Sequence, residues 1–244
     1  MVRKIVLLLF LALVGCGELL FDSSKDPAGM TAQMVVTTTV NNSDSPTHNM
    51  VLTFLSDDGA TNIEKVTVDN DELSYDSNKS HYFHNFSSAP RENQIITVVC
   101  EFSKGVIDSS EQTLSGTTLT IQQMPSFQLK VADTVSELEN VESQEMVDGI
   151  SSSQVIMINL GNYKGYTVKG VATLVGDNGQ EDTADIGDGW YIPSTFLKGN
   201  ASGFPPNQII LDVVFSYDGT LDDAFGDGYI RREIRIKKSI NITQ

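Results

Sequence analysis

Carboxylates crowd the turns of this chain: Asp57-Asp58-Gly59, Asp69-Asn70-Asp71-Glu72, Asp177-Asn178-Gly179 with Glu181-Asp182, and Asp218 with Asp222, Asp223 and Asp227. Hard oxygen ligands gathered within a few residues are what calcium takes. The last group, Asp218, Asp222, Asp223 and Asp227, is therefore the candidate calcium site. None of the groups has EF-hand spacing, and Asp, Asn and Gly are equally the residues of ordinary solvated hairpin turns. A second feature with chemical reach is Gly187-Asp188-Gly189-Trp190-Tyr191, which sets two aromatics beside acids in a turn. Trp190 and Tyr191 form a candidate stacking platform for a sugar; alternatively, Trp190 plugs an apolar core.

The remaining reactive side chains point away from catalysis. His81 and His84 lie three apart in His81-Tyr82-Phe83-His84, which on a strand puts them on opposite faces, so they cannot share an ion. Cys100 follows the alternation Ile96, Val98, Cys100, Phe102 and reads as a buried structural thiol with no basic neighbour to activate it. Gly-x-Ser-x-Gly, His-Glu-x-x-His, a phosphate loop and a dinucleotide fingerprint are all missing. With three histidines, acid-base work would fall to a carboxylate pair, as in a β-sandwich glycoside hydrolase. The expectation is a non-enzyme with no cofactor beyond that calcium.

These residues must be positioned by strands. Met34–Val40, Val51–Leu55, Glu64–Val68, Tyr82–Phe86, Ile95–Phe102 and Thr117–Gln122 are followed, after a gap, by Val155–Leu160, Val171–Val175, Trp190–Ile192, Ile209–Tyr217 and Tyr229–Lys237. All are apolar or β-branched runs closed by turn residues about every ten positions. Sliding the chain by 120 aligns Met34–Gly59 with Gln154–Gly179 at seven identities, including Val35/Val155, Asn42/Asn162 and Gly59/Gly179. Further on, Tyr82 matches Tyr191, and Asn93-Gln94-Ile95-Ile96 matches Asn207-Gln208-Ile209-Ile210. A duplicated unit is expected, with β-sandwiches over 31–123 and 154–240 and a linker over 124–153 that contains a possible strand at Phe127–Val131. In size and rhythm the units resemble immunoglobulin-like domains, although the inter-sheet cysteine pair is missing. The fold class expected is all-β: two tandem immunoglobulin-like sandwiches.

Location is encoded at the start. Arg3 and Lys4 precede an unbroken apolar run, Ile5–Val14, too short to span a bilayer and shaped like a secretory signal. It ends in Leu13-Val14-Gly15-Cys16, which resembles the bacterial lipobox. The resemblance implies a signal peptide over 1–15, lipidation of Cys16, a flexible tether over 16–30 and a membrane held through acyl chains. Gly17 rather than Asp after the cysteine implies the outer membrane. Acyl chains contribute about 0.8 kcal/mol per buried methylene, so two or three anchor stably.

Composition narrows the partners. Lys and Arg number 16 against 32 acids; loss of Arg3 and Lys4 with the leader leaves 14 against 32, a charge of −18. That field repels phosphates, so no nucleic acid partner is expected. Five of those 14 cations lie in Tyr229–Lys238, where alternation sets Ile230, Ile234 and Ile236 opposite Arg231, Glu233, Arg235 and Lys237. The leading expectation is a non-catalytic, lipid-anchored envelope protein that binds or scaffolds another envelope component, protein or glycan. The alternatives are a glycan-binding surface lipoprotein using Trp190 and Tyr191, and the carboxylate-pair hydrolase.

Overall fold

The computed structural model describes residues 30–42, 44–56, 63–91, 94–102, 112–117, 124–199, 203–220 and 228–243. The strands of the first half are β1 (Met30–Asn41), β2 (Thr47–Ser56), β3 (Ile63–Val68), β4 (Asp71–Glu72), β5 (Ser74–Asp76), β6 (His81–Phe86), β7 (Ile95–Phe102) and β8 (Gln112–Thr117). Those of the second are β9 (Ser126–Ala132), β10 (Gly149–Ser151), β11 (Val155–Gly161), β12 (Thr167–Gly176), β13 (Glu181–Asp185), β14 (Tyr191–Ile192), β15 (Pro206–Thr220) and β16 (Tyr229–Thr243). The protein is all-β among these residues, apart from a 3-10 segment at Val135–Asn140 and one helical turn at Ser194–Leu197. None of the described helices is long and apolar enough to cross a membrane.

One sheet runs through both halves, in the order β13-β12-β15-β16-β1-β2-β6-β5. Its hinge is β16, which pairs antiparallel with β15 on one side and parallel with β1 on the other, Gln33 opposite Tyr229 through Asn41 opposite Lys237. Beyond β1, the short β10 takes over the same side of β16 from Asn241 to Thr243. Asn42 fills the gap between them: its backbone N–H donates to Lys237 O at 2.9 Å, and its side-chain oxygen accepts from Ser239 N–H at 2.9 Å. Its φ of 42° is the left-handed conformation that Asn tolerates better than most residues.

Two smaller sheets, β4-β3-β7-β8 and β14-β11-β9, cover the same face of the large one. Alternation dictates this. Ala32, Met34 and Val36 of β1 point to that face with Met50 and Leu52 of β2, and meet Val66, Val68, Ile96, Val98 and Cys100 in a first core. Leu174, Leu211, Val213, Phe215, Ile234, Ile236, Ile240 and Ile242 meet Phe127, Leu129, Ile156 and Ile158 in a second. Ile230, on the same strand as the isoleucines of the second core, belongs to the first.

The stretch expected as a linker thus carries β9, which pairs with β11 along its whole length, and β10, which extends the large sheet. The self-match at offset 120 aligns β1 with β11 and β2 with β12, yet β1 and β2 are paired neighbours whereas β11 and β12 lie in different sheets. By place in the sheets, β11 corresponds to β2 and β12 to β3, so the match is displaced by one strand. Asn42 and Asn162 both sit at positive φ just after a strand, and local turn chemistry explains that identity without equivalent position. The quartet match also fails on facing, since Ile95 is 61% exposed and Ile209 fully buried. The register irregularity of β15 lies at Pro206–Gln208, before those isoleucines, and does not reconcile it.

Ile230→Ala should cost about 2–5 kcal/mol as a buried cavity and should speed amide hydrogen exchange in β2, β3 and β7, although the substitution lies in the second half of the sequence. Acceleration confined to β15 and β16 would show that the first core does not depend on it.

Candidate functional site

Asp218, at the end of β15, is engaged: Arg231 Nε and Nη2 donate to its two carboxylate oxygens at 2.6 and 3.1 Å. The hydrogen bond from Arg231 lowers the Asp218 pKa. Asp222, Asp223 and Asp227 lie outside the described residues, as does Cys16. Among the described residues no three His, Cys, Asp or Glu side chains gather at a spacing that would hold a metal ion.

Trp190 and Tyr191 diverge. The Trp190 ring packs at the second core over Gly170, where a Cβ would come within 2.7 Å of it, which is why that position has no side chain. Trp190 adopts φ 54° in its turn, held by Ile158 N–H donating to its carbonyl at 2.7 Å and by its own N–H donating to Gly187 O at 3.2 Å. Tyr191 turns outward, 45% exposed. The two rings therefore do not form one platform. His81 and His84 occupy opposite faces of β6 and pack edge-on to Phe83 and Phe86. Cys100 is fully buried, and burial pushes its thiol up to about 12, far from the thiolate needed for reactivity.

The polar groups that sequence reasoning missed are two cations on the inward face of β16. The alternation that buries Ile230, Ile234, Ile236 and Ile240 also buries Arg232 and Lys238, which the run of five basic residues hides. Arg232 stands where the two cores meet, between Ile230 and Ile234. Its Nη2 donates to Thr38 Oγ1 at 2.6 Å and its Nη1 to Val36 O at 3.5 Å; Thr38 Oγ1 in turn bonds His48 Nδ1 at 3.0 Å. Among the described residues no carboxylate pairs with Arg232, and burial lowers its pKa. Burial, then the Arg232 charge, hold His48 below the ordinary histidine value. Lys238 lies between Ile236 and Ile240 of the second core, where Nζ donates to Phe127 O at 2.7 Å and to Glu145 O, and lies 4.4 Å from the centroid of the Phe127 ring. It thereby ties β9 and the chain at Glu145 to the large sheet.

The open face of the same strand carries the complementary pattern. Arg235 and Lys237 both approach Asp212 of β15 at 3.4 Å, and Arg231 lies 5.4 Å from the centroid of the Tyr229 ring. These are half-exposed pairs that satisfy local charge and add little stability individually. No protein-family model matches the chain, and no curated protein matches it.

Two outcomes follow from the hydrogen-bonded chain of buried Arg232 and Thr38 and half-buried His48. Thr38→Val should cost about 1–3 kcal/mol in denaturant unfolding because it strands buried Arg232 donors, whereas Arg232→Met should be neutral or stabilising, since apolar side chains often replace unpaired buried charges without loss. A loss larger for Arg232→Met than for Thr38→Val would invert this ranking. His48 titrates at a lower pH folded than unfolded, so the unfolded chain gains protons first. The stability it contributes is present above its unfolded pKa of about 6.5 and is lost as pH falls below that value. Melting temperature should therefore fall less between pH 7 and pH 5 in His48→Gln than in the unaltered chain.

Proposed function

We propose that this chain is a non-catalytic, lipid-anchored protein of a bacterial cell envelope whose two immunoglobulin-like sandwiches hold or bind another envelope component. The observation that carries the reading is the β1–β16 ladder, which joins both sandwiches into one sheet. Two domains on a flexible linker sample many orientations, whereas a continuous hydrogen-bonded sheet fixes one, as a scaffold requires. The immunoglobulin-like assignment is supported by strand order. In the first half β1-β2-β6-β5 faces β4-β3-β7-β8, and in the second β9-β11-β14 faces β13-β12-β15-β16. Both have the four-strand or three-strand sheet opposed to a sheet with the last strand at its edge that immunoglobulin-like sandwiches use. The anchor is supported by Leu13-Val14-Gly15-Cys16 after a short apolar run. With Gly17 next, the outer membrane is the expected destination.

Replacing Cys16 with Ser should give either an unprocessed precursor or a protein released from membranes, read by fractionation and by mass spectrometry of the mature N-terminus. Membrane retention of a normally cleaved Cys16→Ser protein would remove the lipid anchor. Gly17→Asp should shift the lipidated protein from outer- to inner-membrane fractions, and an unchanged distribution would remove the outer-membrane assignment.

A further inference from the structure

We propose that the open edge of the first sandwich binds a neutral oligosaccharide, with Tyr75 as the ring on which a pyranose stacks. The reading is independent of the lipid anchor. The first sandwich ends on β5 in the large sheet and on β4 in the small one, and these two edge strands stand apart across a hollow of about 590 Å³. The chain crosses from one sheet to the other at Leu73, which is buried and donates its N–H to Val66 O at 2.8 Å. The crossing turns its neighbours outward: Glu72, Ser74 and Tyr75 are all exposed, Tyr75 to 54%.

Tyr75 is a supported ring. It lies 4.8 Å, centroid to centroid, from Tyr82 at an interplanar angle of 48°, and Tyr82 is held in turn by its hydroxyl donating to Ile63 O at 3.4 Å and by its edge-on contact with Phe54. An exposed aromatic backed by a second one is held in place for a ligand while keeping a large apolar area in water. Around it stand the groups that hydroxyls need. Lys65 supplies an ammonium donor, with a part-exposed 3.6 Å contact to Glu101, and Glu72 supplies a carboxylate acceptor. One apolar platform ringed by hydrogen-bonding groups matches an amphipathic ring, with C–H groups on its face and hydroxyls at its rim.

Charge and shape narrow the class. A chain with 32 acids and 16 basic residues disfavours uronic or phosphorylated sugars. Stacking favours pyranoses whose hydroxyls are equatorial, because their faces are then lined by C–H groups. A second hollow of about 270 Å³, with His84, Asp71 and Gln94 in its lining, lies farther along β6 and shares no lining residue with the first.

The test is calorimetric titration of the full-length chain, purified in a detergent that contains no sugar, with β-1,4-linked glucose and N-acetylglucosamine hexasaccharides and with a galacturonic acid hexasaccharide. At least one neutral probe should bind with Kd below about 10 mM, and the acidic one should bind more weakly. Tyr75→Ala should weaken binding by about tenfold or more, the effect of losing a stacked aromatic, while Tyr75→Phe keeps it and Tyr191→Ala leaves it unchanged. Tyr75 is exposed, so melting of Tyr75→Ala close to that of the unaltered chain will separate lost binding from lost folding. Binding of neither neutral probe, tighter binding of the acidic one, or full affinity in a folded Tyr75→Ala protein would each overturn the proposal.

Discussion

Everything in this fold leans on one strand being used twice. β16 is the last strand of the second half and, through its parallel ladder with β1, the neighbour of the first strand of the first half. Because side chains alternate along it, a single face supplies Ile230 to one core and Ile234, Ile236, Ile240 and Ile242 to the other. Neither core is complete without that strand. The contact between the halves is therefore not a patch of surface that two finished domains happen to bury. Register makes it specific, since a one-residue slip of β1 against β16 would turn Met34 and Val36 to solvent.

The two buried cations follow from the same use. Arg232 occupies the inward position where one core stops and the other starts, and the two small sheets pack against different cores. A compact apolar side chain there would have to fill an irregular gap between two packed layers. A long guanidinium reaches across instead, to Thr38 and Val36 of β1. The cost is a charge out of water without a carboxylate, and it is tolerated because oxygen acceptors take part of the fork. Lys238 solves a similar problem farther along the strand with two carbonyls and the Phe127 ring.

Period-two alternation made most strands legible, and Ile95–Phe102 coincides with β7. β4, β5 and β13 escaped because they are polar and lie at edges where no alternating apolar face is needed, and β10 because its three residues, with Ile150 alone buried, are too few to show a period. The pairing of β1 with β16 was illegible for a different reason. Alternation tells which face of a strand is buried, and it carries no information about which strand lies beside it when the partners stand nearly 200 residues apart, as the contact of Arg232 with Thr38, 194 residues away, makes plain. The internal match misled in the same way: strands of one composition resemble one another wherever they sit, and Asn42 and Asn162 share a positive φ after strands that occupy different places. At the sites, the sequence pointed to Trp190 as an alternative between ring platform and core, and the close fit over Gly170 places it at the core. Tyr75 went unnoticed, since nothing in Ser74-Tyr75-Asp76 marks an edge strand standing apart from β4.

The fused sheet also decides where a ligand has room. On the face shared by both cores, the small sheets cover the large one, and Arg232 lies between the two cores with its guanidinium bonded to β1. On the opposite face, Arg231 of β16 is matched by Asp218, and Arg235 and Lys237 by Asp212, so these charges are paired within the sheet rather than offered to a ligand. What that ladder does not close is the far edge of the first half. Joining the halves through β1 consumes the other edge of that sheet, so β5 remains its free end, and β4 terminates the sheet opposite. Two edges that cannot both be sealed by pairing must either be covered or be made polar and short, and here they are short, separated and furnished with an aromatic. The ladder that joins the two halves thus leaves the hollow beside β4 and β5 open.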